Sequence, residues 1–168
     1  MDQANTVSME KKTIYEKIQQ DAFTIIGIDV VTSNKDDKAV DDINTLWQRF
    51  ATEQVQDNIP GITNKDYIFA IYTDYEGDNT QPFRLVIGCQ VETMPDKLPE
   101  GMVAHTVPSG AYALFRARGE QPRAIIKTWE TVWGSDLKRE FTSDFEVYGP
   151  RFYEAGLHEA LINIAIKD

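Results

Sequence analysis

The chain repeats itself. From Phe23 the run Phe-Thr-Ile-Ile-Gly-Ile-Asp-Val-Val-Thr is rich in β-branched residues and reads as a strand, ending at the polar cluster Ser33-Asn34-Lys35-Asp36-Asp37. Ile43, Leu46, Trp47 and Phe50 then recur at three- and four-residue spacing, the stripe of a helix whose start Asp36 or Asp37 is placed to cap. Asn58-Ile59-Pro60-Gly61 breaks that helix. Tyr67 to Tyr75 and Phe83 to Thr93 read as strands, joined by the turn-forming residues Glu76-Gly77-Asp78-Asn79. Met94 to Met102, with Pro95, Pro99 and Gly101, reads as a central linker, and the order then starts again. Tyr112-Ala-Leu-Phe-Arg-Ala-Arg is a strand, Gln121 to Gly134 a helix, Phe141 to Tyr148 a strand and Ala160 to Lys167 a last strand. Two copies of one unit within 168 residues predict a fused pair of half-units around a shared core.

The copies can be overlaid. Ile43, Leu46 and Phe50 have the spacing of Ile126, Trp129 and Trp133, and Phe69-Ala70-Ile71-Tyr72 lines up with Phe145-Glu146-Val147-Tyr148. The final strands, Leu85 to Glu92 and Leu161 to Asp168, match only after a one-residue slip. The expected fold is therefore α+β: duplicated β-α-β-β half-units related by a pseudo-twofold axis, with antiparallel sheets, helices on one face and a central cleft. Residues 1–20 are expected to be an N-terminal tail and lead-in, the first eight or so frayed, and residues 21–168 a single domain with half-units of about 21–94 and 102–168.

Alternation along a strand assigns faces. Phe69, Ile71, Phe145 and Val147 are expected to point at the helices, and Ala70, Tyr72, Glu146 and Tyr148 to share the other face, where the two halves meet in a groove. One copy carries alanine where the other carries an acid. That groove offers aromatic faces, each contributing about 0.5 to 2 kcal/mol to holding a desolvated cation, and one carboxylate to pair with it. A glutamate half-buried among tyrosines is expected to have a raised pKa or a hydrogen bond from a tyrosine hydroxyl, and a bound cation relieves its burial. Trp129 and Trp133 fall on the helix stripe and read as core; Trp47 sits beside the stripe and can tip towards the groove.

Charge and composition narrow the function. The net charge is −10, from 27 acidic and 17 basic residues, which disfavours nucleic acid and anionic membrane surfaces. No secretory leader pattern or bilayer-length apolar run is found, and the single cysteine, Cys89, lies in an apolar strand and reads as a small buried hydrophobe. The cytoplasm is the expected compartment. There is no glycine-rich phosphate loop, Gly-x-Ser-x-Gly elbow or His-Glu-x-x-His motif, and His105 and His158 are far apart in sequence. No catalytic residue, metal or cofactor is expected.

Leu46-Trp47-Gln48-Arg49-Phe50, Ile71-Tyr72-Thr73-Asp74-Tyr75-Glu76, Pro99-Glu100-Gly101-Met102, Pro108-Ser109-Gly110-Ala111-Tyr112-Ala113-Leu114-Phe115, Thr128-Trp129 and Asp144-Phe145-Glu146-Val147-Tyr148 occur in the order that resembles the GyrI-like, or AraC-type effector-binding, family. The resemblance spans about Phe23 to Lys167 and is nearest to stand-alone, integron-associated bacterial members. It implies a duplicated half-barrel that binds amphipathic, often cationic, drug-like compounds, with Glu146 at the position of the pocket glutamate. Many members of that family carry a helix-turn-helix domain, for which this length leaves no room, so no DNA-binding domain is expected here.

The candidate ligand-binding residues are Glu146, Tyr148, Tyr72, Ala70, Trp47 and Tyr112, and the expected partner is a small cationic or amphipathic aromatic molecule. A partner protein or a second copy of the chain stays open. Two alternatives remain: hydrolysis of an electrophilic small molecule, with Glu146 activating water beside a tyrosine donor, and a protein-interaction module that modulates a partner such as a gyrase.

Overall fold

A computed structural model describes residues 14–77 and 81–168. Its strands are β1 (Glu16–Gln20), β2 (Phe23–Thr32), β3 (Ile68–Thr73), β4 (Phe83–Val91), β5 (Val103–Val107), β6 (Gly110–Ala117), β7 (Ser143–Tyr148) and β8 (Ala160–Ala165). Helix α1 (Lys38–Thr52) precedes β3, α2 (Arg123–Trp133) precedes β7, and the short α3 (Pro150–Tyr153) follows β7. All eight strands form one antiparallel sheet in the order β1-β6-β8-β7-β3-β4-β2-β5. Among the described residues no helix is long and apolar enough to cross a membrane.

That order is a palindrome about the β7/β3 seam, which is the duplication made visible. Ala70 and Glu146 are paired directly across the seam. The one-residue slip is also present, since Ala70 lies opposite Ile87 whereas its counterpart Glu146 lies opposite Ile162. The repeat is longer than the sequence pattern suggests. Each half has a leading strand, β1 or β5, and these are exchanged: β1 pairs with β6 of the second half and β5 with β2 of the first. Residues 16–20 are thus the edge of the sheet rather than a lead-in, and 103–107 are a strand in a stretch to which the sequence pattern assigns no element. The expected tail at residues 1–8 and the turn residues Asp78 and Asn79 lie outside the described residues.

The exchange dictates the curvature. β1 and β2 are joined by only Asp21 and Ala22, and β5 and β6 by Pro108 and Ser109, yet each pair is six places apart in the sheet. Six strand spacings span roughly 29 Å in a flat sheet, whereas such a link reaches at most about 11 Å. The sheet must curl until its ends approach. Its enclosed face is filled by Phe23, Ile25, Phe69, Ile71, Val86, Val107, Tyr112 and Phe145, with Phe145 against both Phe23 (5.2 Å between ring centroids) and Tyr112 (5.4 Å). Gly27 and Gly88 face each other in the β2/β4 ladder, where a Cβ on Gly88 would lie 2.1 Å from the Ile26 carbonyl oxygen.

The other face carries the helices. α1 packs Leu46 and Phe50 with Ile26, Ile28, Leu85, Ile87 and Ala70, while α2 packs Trp129 and Val132 with Ala113, Phe115, Ile162 and Ile164. This reverses one expectation: Phe69, Ile71 and Phe145 point away from the helices, and Ala70, Tyr72 and Glu146 lie on the helix side. Alternation establishes which residues share a face, but both faces of β3 are apolar, so it could not tell which one the helices cover. Asp37 stands at the start of α1, but its side chain makes no capping hydrogen bond there.

Candidate functional site

α1 covers the β2/β4 side and α2 the β6/β8 side, which leaves the central β3/β7 seam beneath a cavity of about 700 Å³. That is within the range of small-molecule sites. Tyr72 and Glu146, from β3 and β7, line it together with Tyr148; α1 adds Ile43 and Trp47, α2 adds Ile125, Trp129 and Trp133, and α3 adds Phe152 and Tyr153. The rings meet edge to face: Trp47 on Tyr148 (5.1 Å, 78°), Tyr72 on Trp129 (5.0 Å, 63°) and Tyr148 on Phe152 (4.9 Å, 80°). Mobile aliphatic side chains would lose more rotamer freedom on enclosing a flat ligand than these interlocked rings do.

Glu146 is the buried carboxylate of this wall, 2% exposed. Its Oε2 accepts hydrogen bonds from Trp129 Nε1 (2.7 Å) and the Tyr72 hydroxyl (3.1 Å), and its Oε1 from the Tyr148 hydroxyl (2.6 Å). Burial raises its pKa above the ordinary glutamate value, while the three donors pull it back down. Burial, together with the adjacent Glu146, holds the Tyr72 and Tyr148 hydroxyls protonated well beyond their usual range, so both remain donors. All three partners are neutral, and among the described residues no lysine, arginine or histidine forms an ion pair with Glu146. A second buried acid, Asp144, is served differently: it accepts from Arg139 Nη2 (2.7 Å), from the Tyr75 hydroxyl and from the Ala165 amide (2.8 Å). One buried acid is thus neutralised and the other has hydrogen bonds but no counter-charge.

Of the six residues singled out in the sequence, Glu146, Tyr148, Tyr72 and Trp47 lie on the cavity wall. Two do not. Ala70 is fully buried in the cluster with Leu46 and Phe50, below the cavity. Tyr112 points to the enclosed face, packed on Phe145 with its hydroxyl bonded to the Pro108 carbonyl oxygen (2.7 Å), because its neighbours Ala111 and Ala113 occupy the helix side.

Trp129, which the helix stripe assigns to the core, serves both purposes, buried against the sheet and bonded to Glu146. The stripe on α2 buries Trp129 and Val132, with Ile125 packed beside them, rather than Ile126, Trp129 and Trp133; Ile126 and Trp133 are exposed. Phe152 and Tyr153 were missed altogether, although Gly149-Pro150 is a helix-start signal that could have revealed α3.

The sequence profile of the family described as Cass2, integron-associated effector binding protein, matches residues 17–166. The chain belongs to the Cass2 family. A Cass2-type integron cassette protein of known structure, from the mobile metagenome of Vibrio cholerae, is 29% identical, with 91% of this chain and 95% of that one covered and a TM-score of 0.68. The structure of SAV2435 bound to tetraphenylphosphonium has the same fold (TM-score 0.75, 20% identity, 92% of this chain and 94% of that one). The transcriptional regulator BrlR of Pseudomonas aeruginosa is 28% identical over 141 residues, 80% of this chain; the chain spans 48% of that relative's length. Cass2 proteins are effector-binding proteins, which sets the hydrolase reading of Glu146 aside.

Proposed function

We propose that this Cass2-family protein binds a bulky aromatic cation in the cavity between α1 and α2, with Glu146 as its counter-charge and the surrounding rings as its walls. The observation that carries this reading is the state of Glu146: 2% exposed, held by three neutral donors and, among the described residues, ion-paired with no cationic side chain. Holding an unpaired carboxylate out of water costs several kcal/mol, part of which the donors recover, since the Glu146 pKa stays raised despite them. A cation entering the cavity supplies the missing term, and its apolar body stays on aromatic surface. That SAV2435, of the same fold, has been captured with tetraphenylphosphonium supports the same ligand class here.

Tetraphenylphosphonium and tetraphenylborate have the same shape and opposite charge. Titration calorimetry should show the phosphonium binding to the wild-type protein and the borate failing to bind. Glu146→Gln keeps the side chain's size and should weaken phosphonium binding about 10- to 100-fold, while neutral triphenylphosphine oxide loses far less. Equal losses for the phosphonium and the oxide would remove the role given to the carboxylate.

A further inference from the structure

Arg139 also lines the cavity, and its side chain is only 9% exposed. Its Nη2 is committed to Asp144, and its guanidinium carbon stands 4.3 Å from the centre of the Phe141 ring and 5.7 Å from that of Tyr75. The backbone on either side is tied to the end of β8, through Glu140 N to Ala165 O (2.9 Å), Lys167 N to Lys138 O (2.8 Å) and a bridge between Arg139 and Ile166. The planar group is therefore held in one orientation. Within it, Nε is buried and has no acceptor. It is one of two such side-chain atoms among the described residues, and the other, Thr32 Oγ1, is not on the cavity wall. A buried N–H without a partner is costly, and the cost is recovered when an oxygen is placed before it.

We propose that Arg139 is a second polar contact of the cavity, its Nε donating to an oxygen of the ligand, so that the molecule recognised is an aromatic cation bearing an ester or carbonyl oxygen away from its charged centre. This rests on the cavity being the cation site. A neutral acceptor fits better than a carboxylate because Asp144 already balances the guanidinium charge. Glu146 and Arg139 then read the two ends of one amphipathic molecule, the first by charge and the second by a single directed hydrogen bond.

Two xanthylium dyes of equal charge provide the test: rhodamine 6G, which carries an ethyl ester, and its phenyl counterpart without the ester. The wild-type protein should bind the ester dye about tenfold more tightly. In Arg139→Lys, which keeps a cation for Asp144 but removes Nε, the ratio between the dyes should fall towards one. In protein labelled with 15N-arginine, the Arg139 Nε–H resonance should move on addition of the ester dye and stay still with the ester-free dye. Equal binding of both dyes by the wild type, an unchanged ratio in Arg139→Lys, a resonance indifferent to the ester, or tighter binding of the free-acid dye than of the ester would each overturn the assignment. Should Arg139→Lys fail to fold, the wild-type ratio and the resonance still decide. Absence of tetraphenylphosphonium binding would instead overturn the cation reading on which this one depends.

Discussion

Glu146 illustrates how a single position acquires chemistry from its surroundings. On the same strand face, directly opposite across the seam, Ala70 is fully buried and only fills space where Glu146 brings a carboxylate. Burial raises the Glu146 pKa in the empty protein, so protonation comes more easily in the folded state than in the unfolded chain. The associated stabilisation is present below the unfolded glutamate pKa and is lost as the pH rises through the folded one. A cation binds the ionised form and pulls the pKa down again. Affinity for tetraphenylphosphonium should therefore fall by up to about tenfold per pH unit as the pH drops below the folded pKa, and binding just around that pKa should release a proton. Calorimetry in buffers of different ionisation enthalpy measures the proton, which should disappear in Glu146→Gln. Trp129→Phe keeps the ring and removes the Nε1 donor, so it should raise the Glu146 pKa further, shift the pH midpoint upward and weaken phosphonium binding near neutral pH about three- to tenfold. An unchanged midpoint would mean that Trp129 only packs.

At the scale of elements, helix stripes and strand alternation were legible because they are local. Ile43, Leu46 and Phe50 on α1 follow from periodicity, and the strand from Phe23 to Thr32 from its β-branched composition. The α2 stripe was misread by one residue, since its Ile-Ile and Trp-rich composition offers two apolar faces and only the docked sheet selects Ile125, Trp129 and Val132. β5 was passed over because five residues with a central histidine carry little pattern of their own; its pairing with β2 makes it a strand. Gly27 and Gly88 matter through each other. Gly88→Ala would press a methyl group against the β2 backbone, at 2.1 Å from Ile26 O and 2.9 Å from Gly27 Cα, and should cost about 1–3 kcal/mol or more in urea unfolding. A loss below half a kcal/mol would show that the β2/β4 ladder yields easily there.

Across the whole molecule, the exchange of leading strands locks the halves together. β1 belongs by sequence to the first half and completes the sheet of the second. Deleting residues 1–20 therefore removes more than a tail: it bares the hydrogen-bonding edge of β6 and opens the curled sheet beside Tyr112 and Phe115. The truncated chain should unfold at lower urea than the full one and associate at higher concentration, which denaturation and light scattering would reveal. Indistinguishable stability would mean that β1 adds nothing to the core.

The sequence by itself determined the duplication, the α+β class, the resemblance to the effector-binding family and the face shared by Tyr72, Glu146 and Tyr148. These follow from spacing along the chain, which is local information. Only the tertiary structure decided that the helices cover that same face, that Tyr112 and Ala70 turn elsewhere, and that Trp129, Phe152 and Arg139 reach the cavity. The physical reason is that periodicity specifies neighbours on one element but carries no sign for the face that a second element will cover. Here the two-residue links between strands at opposite ends of the sheet oblige it to curl, and the packing of Phe23, Phe69, Tyr112 and Phe145 on the enclosed face leaves the helices, and the cavity between them, on the outer side.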